Sequence, residues 1–193
     1  ECYVPGINQV QVDPATLDLA AALRAVMRLD PEIVMVGELV DPQTADLAMR
    51  MALNGVQVLA SITSSTCVGA LLRMVEFGIP PSRLRQGLAG VTSQVLLRRL
   101  CSECARPVRT APLDQVTTFD PVGCPACRGV GFQGLQGVQE VLEIGDRIKR
   151  RLSTDLDEED LGFLALSSGM ETLKEDAVYK AVSGAVCLAD AVE

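Results

Sequence analysis

Two cysteine pairs, Cys101-Ser-Glu-Cys104 and Cys124-Pro-Ala-Cys127, carry the sharpest chemical signal in the chain, with nineteen residues between them. Four soft thiolates at CxxC…CxxC spacing suit one tetrahedral zinc ion, with iron as the other metal that all-thiolate sites hold. The chain has no histidine, so such a site is all-cysteine. A closed set of four protein ligands leaves no position for water, which makes the centre structural rather than catalytic. Disulfide pairing of the same thiols is the alternative, and metal-type spacing argues against it. The missing imidazole also removes the commonest general base from any mechanism.

A second candidate is Glu38, which follows the apolar run Ile33-Val-Met-Val36 and Gly37. A carboxylate at a strand's end is either simply solvated or placed to orient a water molecule, and the residue alone does not decide between them. Gly129-Val-Gly-Phe-Gln-Gly134 spells GxGxxG. A dinucleotide fingerprint needs a strand before it and a helix after it, whereas here a cysteine knuckle precedes and an alternating strand follows. These glycines are expected to turn the chain tightly around the metal. The run Cys124-Pro-Ala-Cys-Arg-Gly-Val-Gly131 also matches one CxxCxGxG element of DnaJ-type chaperones, which carry several.

The elements that must position these groups can be read from periodicity. Asp13-Pro14 reads as a helix start, followed by Leu19, Leu23, Val26 and Met27 at helical spacing. Residues 33–36 read as a buried parallel strand. Asp41-Pro42 opens a helix that ends near Asn54-Gly55, and residues 56–62 form another strand. Helices are expected over 66–77 and 82–88, strands over 94–100 and 138–143, and three or four short helices from 146 to 192. Helices alternating with apolar strands imply an α/β layer with a largely parallel sheet, in which ligands sit at the strands' carboxyl ends. Glu38 and the stretch from Ser61 to Thr66 fall at such ends.

Composition narrows the partners. Of 193 residues, 48% are hydrophobic and only 3% aromatic, so the core is aliphatic. No apolar run approaches the roughly 18–20 residues of a membrane span, and no signal-peptide pattern opens the chain. The absence of an initial methionine reads as a fragment or a processed form. The net charge is −8, all of it in residues 152–193, where ten acids face two bases. The preceding residues are neutral, although 83–109 hold six arginines against Glu103. A general nucleic-acid binder is therefore not expected. The plainer role for Arg98, Arg99, Arg106 and Arg128 is to offset the negative charge of a tetrathiolate centre.

The run from Leu23 to Leu39, LRAVMRLDPEIVMVGEL, resembles the pattern LRAILRQDPDVVMVGEIRD of the type II secretion and type IV pilus assembly ATPases. Agreement continues in PGINQVQ from Pro5 to Gln11, in the stretch from Gln94 to Cys101, from Gly123 through Cys127 to Glu140, and in GMETLKED from Gly169 to Asp176. The resemblance implies the C-terminal part of a RecA-like P-loop ATPase domain over 1–100. A tetracysteine zinc module follows over 101–143, and a helical subdomain over 144–193. It further implies a hexameric assembly, cytoplasmic and peripheral to the inner membrane, working with secretion or pilus platform proteins. Glu38 then matches the family's catalytic glutamate, and Glu1 the last acid of its Asp box.

Departures from the pattern matter as much. No Gly-Lys dipeptide occurs, so no Walker A loop is present, and ATP and Mg²⁺ would bind only with the N-terminal half supplied. Thr63 stands at the histidine of the TLHTN box. Ala21, Val40, Val95 and Leu135 stand where the family carries arginines. A single arginine finger is worth about 10³–10⁵ in phosphoryl-transfer rate, so a degenerate, supporting subunit that does not itself turn over ATP is expected. Two other readings stay open: the C-terminal half of an ordinary active ATPase, and a zinc-dependent chaperone or adaptor.

Overall fold

A computed structural model describes residues 3–13, 17–109, 116–152 and 157–192. Contacts within it group the chain into two compact units. The first comprises Glu1–Ser64, Gly69–Ala89 and Ile144–Glu158; the second comprises Ser65–Val68, Gly90–Glu143 and Glu159–Glu193.

In the first unit, helix α1 (Leu19–Val26) begins later than the Asp13-Pro14 signal predicts, with Asp18 as its cap: the carboxylate accepts from the Ala20 N–H at 3.3 Å. Pro14 lies outside the described residues. The chain then turns through Asp30, whose φ of 48° is left-handed, into strand β1 (Ile33–Val36). Helix α2 (Pro42–Leu53) starts where Asp41-Pro42 places it, and the Asp41 carboxylate accepts from Thr44 N–H at 2.8 Å. Strand β2 (Gln57–Ala60) pairs with β1 in parallel, Ile33 opposite Gln57 and Val36 opposite Ala60. Helices α3 (Cys67–Glu76, in this unit from Gly69 on), α4 (Pro81–Gly87) and α5 (Asp146–Arg151) follow along the chain. The core is aliphatic, built from Leu23, Val34, Val36, Met51, Ile79 and Leu84 among others.

The second unit rests on a long antiparallel ribbon of β3 (Gly90–Leu100) and β6 (Phe132–Glu143), from Gly90 opposite Glu143 to Leu100 opposite Phe132. Both strands run further than the apolar alternation alone predicts. A small antiparallel pair, β4 (Arg106–Arg109) with β5 (Thr117–Asp120), joins them. Helices α6 (Glu158–Ser167), α7 (Leu173–Val182) and α8 (Leu188–Val192) complete the chain. Thr172 caps α7 through a reciprocal box with Glu175. Val138, Ala177, Ala181 and Val186 pack together as this unit's own core.

Two expectations need correction. Among the described residues the strands form three two-stranded sheets and only β1–β2 is parallel, so the α/β class holds without a largely parallel sheet. The run Ile33–Val36 is also not buried on both faces. Val34 and Val36 are buried, whereas Ile33 and Met35 are 61% and 77% exposed. No helix among the described residues is long and apolar enough to cross a membrane.

Candidate metal centre and strand-end carboxylate

The two cysteine knuckles converge. Cys101 begins the first, just past β3, in a turn closed by Cys104 N–H to Cys101 O and Ala105 N–H to the same oxygen. The second is a short 3₁₀ turn, Pro125–Cys127, left through Arg128 at φ 56°. Two glycines make this path possible. Gly123 has φ +100°, and a Cβ there would run into the Gly129 carbonyl; Gly131 has φ +79°, and a Cβ there would lie 2.5 Å from Pro121 Cβ.

The four sulfurs lie within 4.8 Å of one another. Cys101 Sγ is 3.9 Å from Cys124 Sγ, and Cys127 Sγ is 3.8 Å from the sulfurs of both Cys104 and Cys124. A metal–sulfur bond of about 2.3 Å requires tetrahedral edges of about 3.8 Å. A disulfide requires about 2.05 Å. The donor set therefore fits a tetrahedral thiolate metal site and contains no disulfide among these four. Main-chain donors add to the fit. Gly123 N–H points to Cys104 Sγ at 3.3 Å, and Cys124 and Gly131 N–H point to Cys127 Sγ at 3.1 and 3.2 Å. The bonds from Cys124, foremost, and Gly131 hold the Cys127 thiol down to about 6. Desolvation, backed by the neighbouring sulfurs, pushes Cys104 up to about 11. A divalent cation held by these four sulfurs would supply the positive charge that thiolate ligation requires.

The strand ends form a second constellation. Past β1 and β2 the ladder continues through Leu39 N–H to Ser61 O at 2.8 Å, and the Ser61 hydroxyl donates to Gly37 O. This sets the two loops side by side, and the Thr63 hydroxyl donates to Glu38 Oε1 at 2.5 Å. Both residues are exposed. Sequence reasoning put Glu38 and Thr63 in one neighbourhood, and the structure joins them by a hydrogen bond. Glu1, the other acid singled out, lies outside the described residues.

Two of the four arginines in the charge-offset reading, Arg98 and Arg99, have other partners. Arg98 holds Asp190 with two bonds, Nε to Oδ2 at 3.1 Å and Nη2 to Oδ1 at 2.7 Å, and lies 4.2 Å over the Phe132 ring. Arg99 donates to Gln133 O at 3.0 Å. Sequence reasoning missed Glu140, which is only 3% exposed. Its carboxylate accepts from Cys67 N–H at 2.7 Å, at the start of α3. The signal was available, because Glu140 shares strand parity with Val138 and Leu142, the inward face of β6. Burial first, and the charge of Glu140 second, push the Cys67 thiol up to about 11.

An α/β scaffold with paired carboxyl strand ends and an appended tetrathiolate knuckle defines the class of the molecule. The family model described as Type II/IV secretion system protein matches residues 1–193, and the chain belongs to that family. It is 36% identical over 201 residues to the type IV pilus assembly ATPase PilB of Thermus thermophilus, covering 97% of this chain and 23% of that protein. It is 37% identical over 190 residues to the type II secretion system protein HxcR of Pseudomonas aeruginosa, covering 97% of this chain and 39% of that protein. The chain thus spans only about a quarter to two-fifths of these relatives' lengths. Among solved structures, the pilus retraction motor PilT with bound ADP superposes with a TM-score of 0.69 at 24% identity, over 95% of this chain and 45% of that one. The Legionella pneumophila ATPase DotB gives 0.64 at 16% identity, over 91% of this chain and 41% of that one. These likenesses establish a shared α/β fold.

Proposed function

We propose that this chain is a supporting part of a type II secretion or type IV pilus assembly ATPase, a fragment or degenerate subunit that helps assemble a pseudopilus or pilus. Residues 1–100 act as the C-terminal part of a RecA-like P-loop core, 101–143 as a zinc-braced module and 144–193 as a helical subdomain. This is a division of function, cut differently from the compact units. The assembly is hexameric and sits on the cytoplasmic side of the inner membrane, against platform proteins, with no nucleic acid.

Cys101, Cys104, Cys124 and Cys127 hold one structural zinc. It supplies no reaction step. The chain's own residues keep the ribbon end closed around it through the N–H donors of Gly123, Cys124 and Gly131. Glu38 is the candidate water-orienting carboxylate and Glu1 the last acid of the Asp box, with ATP and Mg²⁺ bound only when an N-terminal half is supplied.

The observation that carries the supporting role is the Thr63–Glu38 hydrogen bond. A neutral hydroxyl occupies the place where the family pattern expects imidazole, and it donates to the carboxylate that would have to accept a water proton. Such a bond occupies the carboxylate oxygen that a catalytic water would have to reach. Phosphoryl transfer depends on positioned cations, and Val40, Val95 and Leu135 offer none at the positions that resemble family arginines. Purified chain is expected to show no Mg²⁺-dependent ATP turnover above background. Turnover that disappeared in Glu38→Gln would refute the supporting role.

A further inference from the structure

Helix α5 carries Arg147, Lys149, Arg150 and Arg151 within six residues. Ile148 and Leu152, four apart, are each 1% exposed and anchor one side of it. Asp146, Lys149 and Arg150, spaced i, i+3 and i+4, share another side. With Arg85 of α4 they line a concavity of about 340 Å³. Arg85 is fixed there, because its guanidinium donates to the carbonyl oxygen of Leu152, the residue that caps α5. Lys149 and Arg150 have no side-chain hydrogen bond or ion pair among the described residues. Three cations therefore face one carboxylate across a single mouth, and two of them, Arg85 and Lys149, are half-buried. Lys149 is half-buried with no partner among the described residues, and Arg85 is held at the same mouth by a neutral carbonyl rather than a carboxylate, which favours an anionic ligand.

We propose that this concavity binds a phosphodiester that carries a neighbouring hydroxyl. Guanidinium groups match phosphate oxygens in a fork, and the ammonium adds a point charge. Asp146 disfavours a doubly charged phosphate and accepts from a hydroxyl, which selects the diester. A glycerol-type phospholipid headgroup and a soluble diester share this chemistry.

The test uses the full chain with two probes: glycerophosphoglycerol in solution, and vesicles of phosphatidylglycerol against phosphatidylcholine. At least one anionic probe should bind, and which one binds identifies the source. Affinity should fall at least about tenfold in Lys149→Glu/Arg150→Glu and weaken with added salt. It should be unchanged in Lys174→Glu, a charge reversal elsewhere. If the double reversal fails to fold, Lys149→Gln/Arg150→Gln, which keeps the side-chain stems, should show a smaller loss in the same direction. No binding to either anionic probe, equal binding to phosphatidylcholine, or full binding by a folded double variant would overturn the proposal. None of these outcomes bears on Glu38 or the cysteine centre.

Discussion

The cysteine knuckles and the strand-end pair are both small polar constellations, yet they are held in opposite ways. Around the cysteines the backbone is over-determined. Positive φ at Gly123 and Gly131, a left-handed Arg128 and three main-chain N–H donors all aim four sulfurs at one point. Glu38 and Thr63 lie in the open, joined by a single side-chain bond on an ordinary parallel ladder. A residue change at the strand end is expected to leave the scaffold intact. A change at a cysteine removes what the local chain is folded around. Between residues 101 and 137 the buried apolar side chains, among the described residues, are Cys101 and Cys127 themselves. With the proposed metal bound, ligand convergence would do there what a hydrophobic core does elsewhere.

The largest effect expected from this contrast follows Cys127→Ser or strong chelation. Amide protection should collapse across 101–137, while the core around Leu23, Val36 and Leu84 remains protected in hydrogen exchange. Structural zinc binding is worth on the order of 10 kcal/mol in small domains. Simultaneous, uniform loss of protection throughout the chain would erase the distinction between the two regions.

Gly131→Ala tests the backbone side of the same contrast. Left-handed strain and the contact with Pro121 Cβ should cost about 1–3 kcal/mol, and metal affinity should fall with it. Alanine at Gly169, where φ is +96° but nothing lies near the missing Cβ, should cost less. Denaturant midpoints of the two variants, each measured with metal bound, make the comparison.

Glu140→Ala sharpens it from another side. Removing a buried acceptor leaves the Cys67 N–H without it, a loss of about 1–3 kcal/mol. Glu140→Gln should recover much of that, since an amide oxygen can still accept. Glu38→Gln, by contrast, should change stability by no more than about 0.5 kcal/mol, as expected for an exposed side chain.

The smallest effect concerns Glu175, whose carboxyl is held below its ordinary value of 4.5, first by the Thr172 N–H and then by the Thr172 hydroxyl. A depressed folded pKa adds stability that is fully present above 4.5 and is lost as pH falls through the folded value. Thermal midpoints of Glu175→Gln and the parent chain should therefore converge as pH drops below that range.

Much of this arrangement was legible in the sequence. Asp41-Pro42 fixed the start of α2 because an N-cap and a first-turn proline act locally. The cysteine spacing identified the metal-type cluster because its geometry is set within a few residues. Other features depended on what packs against what. An unbroken apolar run such as Ile33–Val36 shows no alternation from which to read a face, so the exposure of Ile33 and Met35 was invisible. Asp18 rather than Asp13 caps α1, a choice between two nearby acids that local chemistry does not make. Arg98 looked like a counter-charge for thiolates, yet its partner Asp190 lies 92 residues away. Glu140 was readable by strand parity alone, although a charged residue facing inward runs against the usual expectation.

Metal content measured on native chain by intact-mass spectrometry tests the account most directly. One tetrahedrally bound ion per chain is expected, with Cys101, Cys104, Cys124 and Cys127 shielded from alkylation until it is removed. A metal-free chain whose four thiols all react while residues 101–137 stay folded would contradict it.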